Sequence, residues 1–143
     1  MKRIAALLAG AVLMLSGTAF AASSIVLSPV DDVSGQNIKI YTYTITAHTD
    51  GSVTPVATNP IDGWIIRTVT NPDDVAAPTN LYDLTLVDRD GVDVMGGTLM
   101  NRAEATTEHV LFPQPYVRGA VTITPTNNSV NGAVIVLRIT VLR

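Results

Sequence analysis

The sequence predicts an all-β fold, an antiparallel β-sandwich or jelly-roll-like barrel of seven to eight short strands, and three features carry that prediction. The first is a hairpin code at residues 81–97, LYDLTLVDRDGVDVMGG. The second is a hydrophobic supply made mostly of β-branched side chains, with aromatics at only 5%, a composition that suits pleated, half-buried surfaces better than helices. The third is punctuation by Asp-Gly, Asn-Gly and Pro at spacings of about ten residues, the rhythm of short strands joined by tight turns.

Residues 1–21 read as a separate message. Lys2 and Arg3 supply a positive start, 4–15 is an apolar run, and Ala19-Phe20-Ala21 is a small-x-small cleavage pattern. The run is about a dozen residues, short of the roughly 20 that cross a membrane as a helix. The expectation is a secretory signal cleaved before Ala22, which places the product in the periplasm or outside the cell and limits membrane contact to this segment. The alternative is an apolar N-terminal arm that is retained. Residues 22–143 then form a single β-sandwich domain. The chain has no cysteine, which excludes a lipoprotein anchor and a disulfide framework. Without Lys2 and Arg3, seven basic residues face twelve acidic ones, and no basic cluster appears. Nucleic acid is therefore not an expected partner.

Residues 23–28 read as a first strand, placed at a sheet edge by Pro29, and 31–37 as a polar loop. Residues 37–49 are strand-prone throughout, but both faces are partly apolar, Ile38 and Ile40 on one and Tyr41, Tyr43 and Ile45 on the other, so the register is weakly specified. The turn at Asp50-Gly51 leads to a short return strand over 53–57. Residues 63–71 form the next strand and hold the single tryptophan, Trp64, which is expected to fill the core. A loop over 71–80 delivers the chain to the central hairpin, where Tyr82, Leu84 and Leu86 share one face and Asp83 and Thr85 the other. Asp88-Arg89-Asp90-Gly91 makes the turn, Val92 to Met95 the return, and Gly96-Gly97 the end.

Residues 98–112 are expected to be an irregular loop with at most one or two helical turns, because Thr106, Thr107 and the Val-Leu-Phe that follows oppose the helix-forming Arg102 to Ala105. Residues 116–124 read as one half-buried strand with Val117, Val121 and Ile123 inward. Residues 126–132 form a turn whose Asn127-Asn128-Ser129 sequon is set aside, because the leader and composition look bacterial. Residues 133–143 are the strongest core strand, with Ala133, Ile135, Leu137, Ile139 and Val141 on one face, and are expected inside a sheet.

No residue set stands out as catalytic, cofactor-binding or metal-binding. The two histidines, His48 and His109, lack a nucleophile-elbow context, and each is expected at an edge or in solvent. Glu104, Glu108 and His109, joined by His48, would make a metal site only if the fold gathered them, and no spacing enforces that. Asp88, Asp90 and Asp93 offer calcium-type ligands, but the loop lacks an EF-hand's ligand ladder and contains Arg89, which favours a plain turn. A glycosidase pair drawn from Asp73, Asp74, Glu104 or Glu108 is set against the expectation that such acids lie on a solvated surface.

The run from Gly63 through Gly97 with Asn101-Arg102 (GWIIRTVTNPDDVAAPTNLYDLTLVDRDGVDVMGG…NR), and the closing GAVTITPTNNSVNGAVIVLRI, resemble small proteins encoded in tailed-bacteriophage and prophage genomes. The resemblance implies a β-sandwich virion-associated protein, a capsid decoration or tail accessory subunit, and brings over no catalytic residue. Such particles assemble in the cytoplasm, so the resemblance goes with a retained arm or with action at the host envelope. The sequence therefore leads to a non-enzymatic protein without cofactor that self-associates or docks on a larger virion assembly. The alternative is an exported periplasmic or cell-surface binding module, for instance for glycans.

Overall fold

The computed structural model describes residues 22–33 and 35–143, and residues 1–21, for which a cleaved signal or a retained arm is expected, lie outside the described residues. Ten strands follow in order: β1 (Ser24–Leu27), β2 (Asp31–Val33), β3 (Ile38–Thr46), β4 (Val56–Ala57), β5 (Ile61–Pro72), β6 (Asp83–Val87), β7 (Glu108–Val110), β8 (Tyr116–Gly119), β9 (Thr122–Thr126) and β10 (Val134–Leu142). No helix forms among the described residues. All pairings are antiparallel, in one sheet of seven strands and one of three, arranged as a sandwich.

The larger sheet is built on its middle. β10 lies between β3 and β5, with Leu137 opposite Tyr43 on one side and Thr70 on the other. Its alternation buries Ile135, Leu137, Ile139 and Val141. Pairing to β10 also settles β3, whose own pattern is ambiguous: Tyr41, Tyr43 and Ile45 turn inward, leaving Ile38 and Ile40 half-buried outside.

Each outer column of this sheet is two short strands in line. β1 and β2 both pair with β3, Leu27 against Tyr43 and Asp31 against Ile40, so the segment around Pro29 inserts one extra residue. On the far side β8 and β7 both pair with β5, and residues 111–115 interrupt the column, with a cis bond at Phe112-Pro113. Short edge strands broken at proline give a neighbouring chain little to pair with. The polar loop expected over 31–37 is thus half wrong: Asp31–Val33 is strand because β3 supplies a free edge beside it.

The smaller sheet runs β4-β9-β6. Residues 116–124 are not one strand, because the chain turns a corner at Gly119, φ 106°, and passes from the larger sheet in β8 to the smaller one in β9. Val117, Val121 and Ile123 are nevertheless all buried, so burial followed the pattern although pairing did not. The return expected over 53–57 shrinks to β4 and pairs with β9 rather than β3. The central hairpin keeps its first strand, β6, with Tyr82, Leu84 and Leu86 fully buried. Its return makes a single bridge, Val87 to Asp93, and then runs through turns. The Asp93 carboxylate holds those turns, accepting from the backbone N–H of Leu86, Met95 and Gly97.

One core joins both sheets: Tyr41, Ile65, Leu137 and Val141 from the larger meet Leu84, Leu86 and Ile123 from the smaller. Fully burying an aliphatic side chain of this size is worth about 1.5–3 kcal/mol. Asp83, 4% exposed, ties the smaller sheet to its loops by accepting from the Asn101 N–H at 2.7 Å and from the Asn127 side-chain amide.

The candidate interaction face

Trp64 is the largest departure from the sequence reading: it does not fill the core but stands 51% exposed. The cause is register. Val141 pairs with inward Ile65, so Leu142 and its partner Trp64 point out of the sandwich. Tyr116 of β8 pairs with Trp64 from the other side, and Ile38 of β3 pairs with Leu142. The result is an apolar and aromatic row across four strands, Ile38, Leu142, Trp64 and Tyr116, on the outer face of the larger sheet. Leu142 is 40% and Tyr116 56% exposed, and the two rings meet edge to face with centroids 5.4 Å apart. Leu111 and Phe112 are also exposed, in the interruption that leads to Tyr116.

Arginines accompany the row. Between Thr140 and Val141 the β5-β10 register slips by one, with Arg67 opposite Thr140 and Ile65 opposite Val141. Ile66 is the unpaired extra residue of a β-bulge. The inward set is therefore Ile61, Gly63 and Ile65 before the bulge and Thr68, Thr70 and Pro72 after it. Trp64 and Arg67, three residues apart, come to share the outer face. Arg138 opposes Val69 there, and Arg118 opposes Asp62. Among the described residues the ion pairs within range are Lys39 with Asp32, His48 with Asp50, Arg89 with Asp90 and Arg102 with Glu108; Arg67, Arg118 and Arg138 have none. Val69, Asn71, Thr107, His109, Val136 and Arg138 surround a shallow depression of about 250 Å³ on the same face. Beside it the Arg67 guanidinium donates to His109 Nδ1. Val69 and Val136 are the apolar part of that lining, and Asn71, Thr107, His109 and Arg138 the polar part.

A second depression, about 310 Å³, lies between the turn at 88–91 and β8, with Asp88, Arg89, Asp90, Tyr116 and Arg118 among its lining. The acids singled out from the sequence are mostly engaged by backbone. Asp88 accepts from the N–H of Asp90 and Val92, which is turn geometry. Asp73 accepts from the N–H of Ala76 and Val75, which holds its carboxyl below the usual range, while Asp74 is exposed. Asp50, beside His48, is likewise lowered, by the Ser52 hydroxyl and backbone N–H.

Glu108 and His109 are not brought together. They alternate along β7, so Glu108 turns to the Ala103 N–H and to Arg102 while His109 faces outward to Arg67. Glu104 is exposed in the preceding loop. No three His, Asp or Glu side chains are grouped to hold a metal ion among the described residues. The interior holds the buried hydroxyls of Tyr43 and Tyr82, whose titration burial pushes up, to about 12 for Tyr43, only partly offset by Thr58 near the first and Thr70 near the second. No family model, no curated protein and no solved structure matches the chain.

Proposed function

We propose that this chain is a non-catalytic structural protein that works by surface contact, as a virion-associated subunit of a phage or prophage, with the outer face of the larger sheet as its docking surface. The observation that carries the reading is the solvent-facing row Ile38, Leu142, Trp64 and Tyr116, which places large apolar groups side by side where a monomer gains nothing from exposing them. A partner, or a second copy repeated by symmetry, removes that surface from water. The resemblance of residues 63–97, Asn101-Arg102 and 119–139 to phage-encoded proteins suggests the kind of assembly. The test is composition of gradient-purified particles from cells carrying the intact gene. The chain co-sediments with particles, and Trp64→Glu, which puts a charge in the row, releases it. Absence of the chain from purified particles rejects the reading.

The second reading is an exported binding module for glycans, and it is favoured by one observation: exposed Trp64 and Tyr116 share the outer face of the larger sheet with a polar-rimmed depression. A mature N-terminus at Ala22 goes with this reading, and an intact leader goes with assembly in the cytoplasm.

A further inference from the structure

We propose that the outer face of the larger sheet binds an anionic polysaccharide, with sugar rings resting on Trp64 and Tyr116 and uronate carboxylates held by Arg67 and Arg138; this rests on the second reading above. The first argument is charge. The chain as a whole is acidic, yet three arginines without ion-pair partners lie on this face. Arg67 opposes Thr140, and Arg138 lies two residues before Thr140 on β10. The two arginines are thus diagonal neighbours, about 7–8 Å apart by sheet geometry. Asp31 shares their face but stands three strands from Arg67, about 14 Å at the usual strand spacing, and two strands and two residues from Arg138, about 12 Å. Both are beyond the roughly 8 Å over which surface charges act at physiological salt. Asp62 faces Arg118 across β5 and β8, so Arg118 is the one offset by a neighbouring acid. Local potential at Arg67 and Arg138 is therefore positive on a negative protein.

The second argument is the form of the donors. A guanidinium presents five N–H groups in a planar fork that matches a carboxylate. Arg67 gives one nitrogen to His109 Nδ1, which orients the group across β5 and β7 and leaves the rest of the fork free. Arg138 stands at the rim of the depression with Asn71, Thr107 and His109, a set suited to hydroxyl as well as carboxylate oxygens.

The third argument separates a sugar from an acidic peptide. β10 is paired on both sides, to β3 and to β5, and β5 to β10 on one side and to β7 and β8 on the other, so the open edge of this face belongs to β7 and β8, two short strands interrupted over 111–115 that give a peptide backbone little to extend. What the face offers is ring surfaces and forked donors. A pyranose ring, with an apolar C–H face and a rim of oxygens, fits that combination of apolar platform and few placed polar groups.

The test is titration of the full chain with polygalacturonate, with neutral dextran, and with poly-glutamate of matched charge density, by calorimetry at low salt. Polygalacturonate binds and dextran does not. Trp64→Ala and Arg138→Ala each weaken binding about tenfold or more, while Thr124→Ala, on the outer face of the smaller sheet, leaves it unchanged; unaltered urea midpoints of Arg138→Ala and Thr124→Ala show that the fold is intact. Failure to bind polygalacturonate, equal binding to poly-glutamate, or binding indifferent to Trp64 overturns the proposal. Its failure leaves the docking function standing wherever Trp64→Glu still releases the chain from particles. Loss of that particle phenotype with polygalacturonate binding retained rejects the docking reading alone.

Discussion

Replacing Trp64 by alanine separates a core tryptophan from a surface one by magnitude. An enclosed indole buries about 150–250 Å². With 51% of the residue exposed, about 100 Å² is hidden here. At about 25 cal/mol per Å² that hidden area is worth about 2.5 kcal/mol. The extended-chain reference inflates it by up to about 40%, so about 1.5–2 kcal/mol remains. The edge contact to Tyr116 adds roughly 0.5 kcal/mol, the low end for such pairs, because both rings are wet. No cavity term enters, since the vacated space opens to solvent. The expected loss is therefore about 2–2.5 kcal/mol, against about 3–5 for a core aromatic. Urea unfolding measures it, with an unchanged m-value required. Trp64 is the single tryptophan, so its emission in the wild type reports the same site independently: it is red-shifted and readily quenched by acrylamide. A loss of 4 kcal/mol or more, with blue-shifted, protected emission, would refute the outward register of β5 and the face built on it.

Other perturbations test the frame that holds this face. Gly63→Ala, at φ 145°, sets a Cβ 2.3 Å from the Leu142 carbonyl oxygen and 2.7 Å from Val141 Cγ1, and should lower stability by more than about 2 kcal/mol in urea, with Trp64 fluorescence shifting as the strands part. Asp83→Ala removes an acceptor from the Asn101 N–H and the Asn127 amide, charge-assisted bonds of about 1.5–3 kcal/mol each, so a loss of about 3–5 kcal/mol is expected in thermal or chemical denaturation, partly recovered by Asp83→Asn. The buried Tyr43 hydroxyl, pushed up to about 12 from 10.0, favours its neutral form in the fold. The stability it contributes is fully present below pH 10 and is lost as pH rises toward 12, about 3 kcal/mol in all. Tyr82 is raised too and acts in the same direction. Urea midpoints measured across that range fall with pH in the wild type and fall less in Tyr43→Phe.

Legibility in the sequence followed the range of the interaction responsible. Leu84 and Leu86 were readable as core, and Ile135 to Val141 as a buried central strand, because a side chain's face in an extended chain follows from its neighbours two residues away. The turn at 88–91 was readable because Asp and Gly satisfy its backbone locally. Asp83 was not: assigned to a polar face by alternation, it is buried because Asn101 and Asn127, 18 and 44 residues away, meet it. Asp31–Val33 was missed as strand because its pairing comes from the free edge of β3.

The sequence by itself determined that this is an all-β chain, which residues of β6 and β10 face inward, and that its acids are mostly turn and surface groups. All of these follow from a period of two and from local turn chemistry. Only the tertiary structure decided the outer face. Trp64 and Arg67 differ by three positions, which strict alternation would put on opposite sides, and the bulge at Ile66 joins them. Tyr116, Arg138 and Leu142 reach the same surface through registers set by pairing with β5. Cross-strand register is the sum of many long-range pairings over one shared core, and no short stretch of chain encodes it.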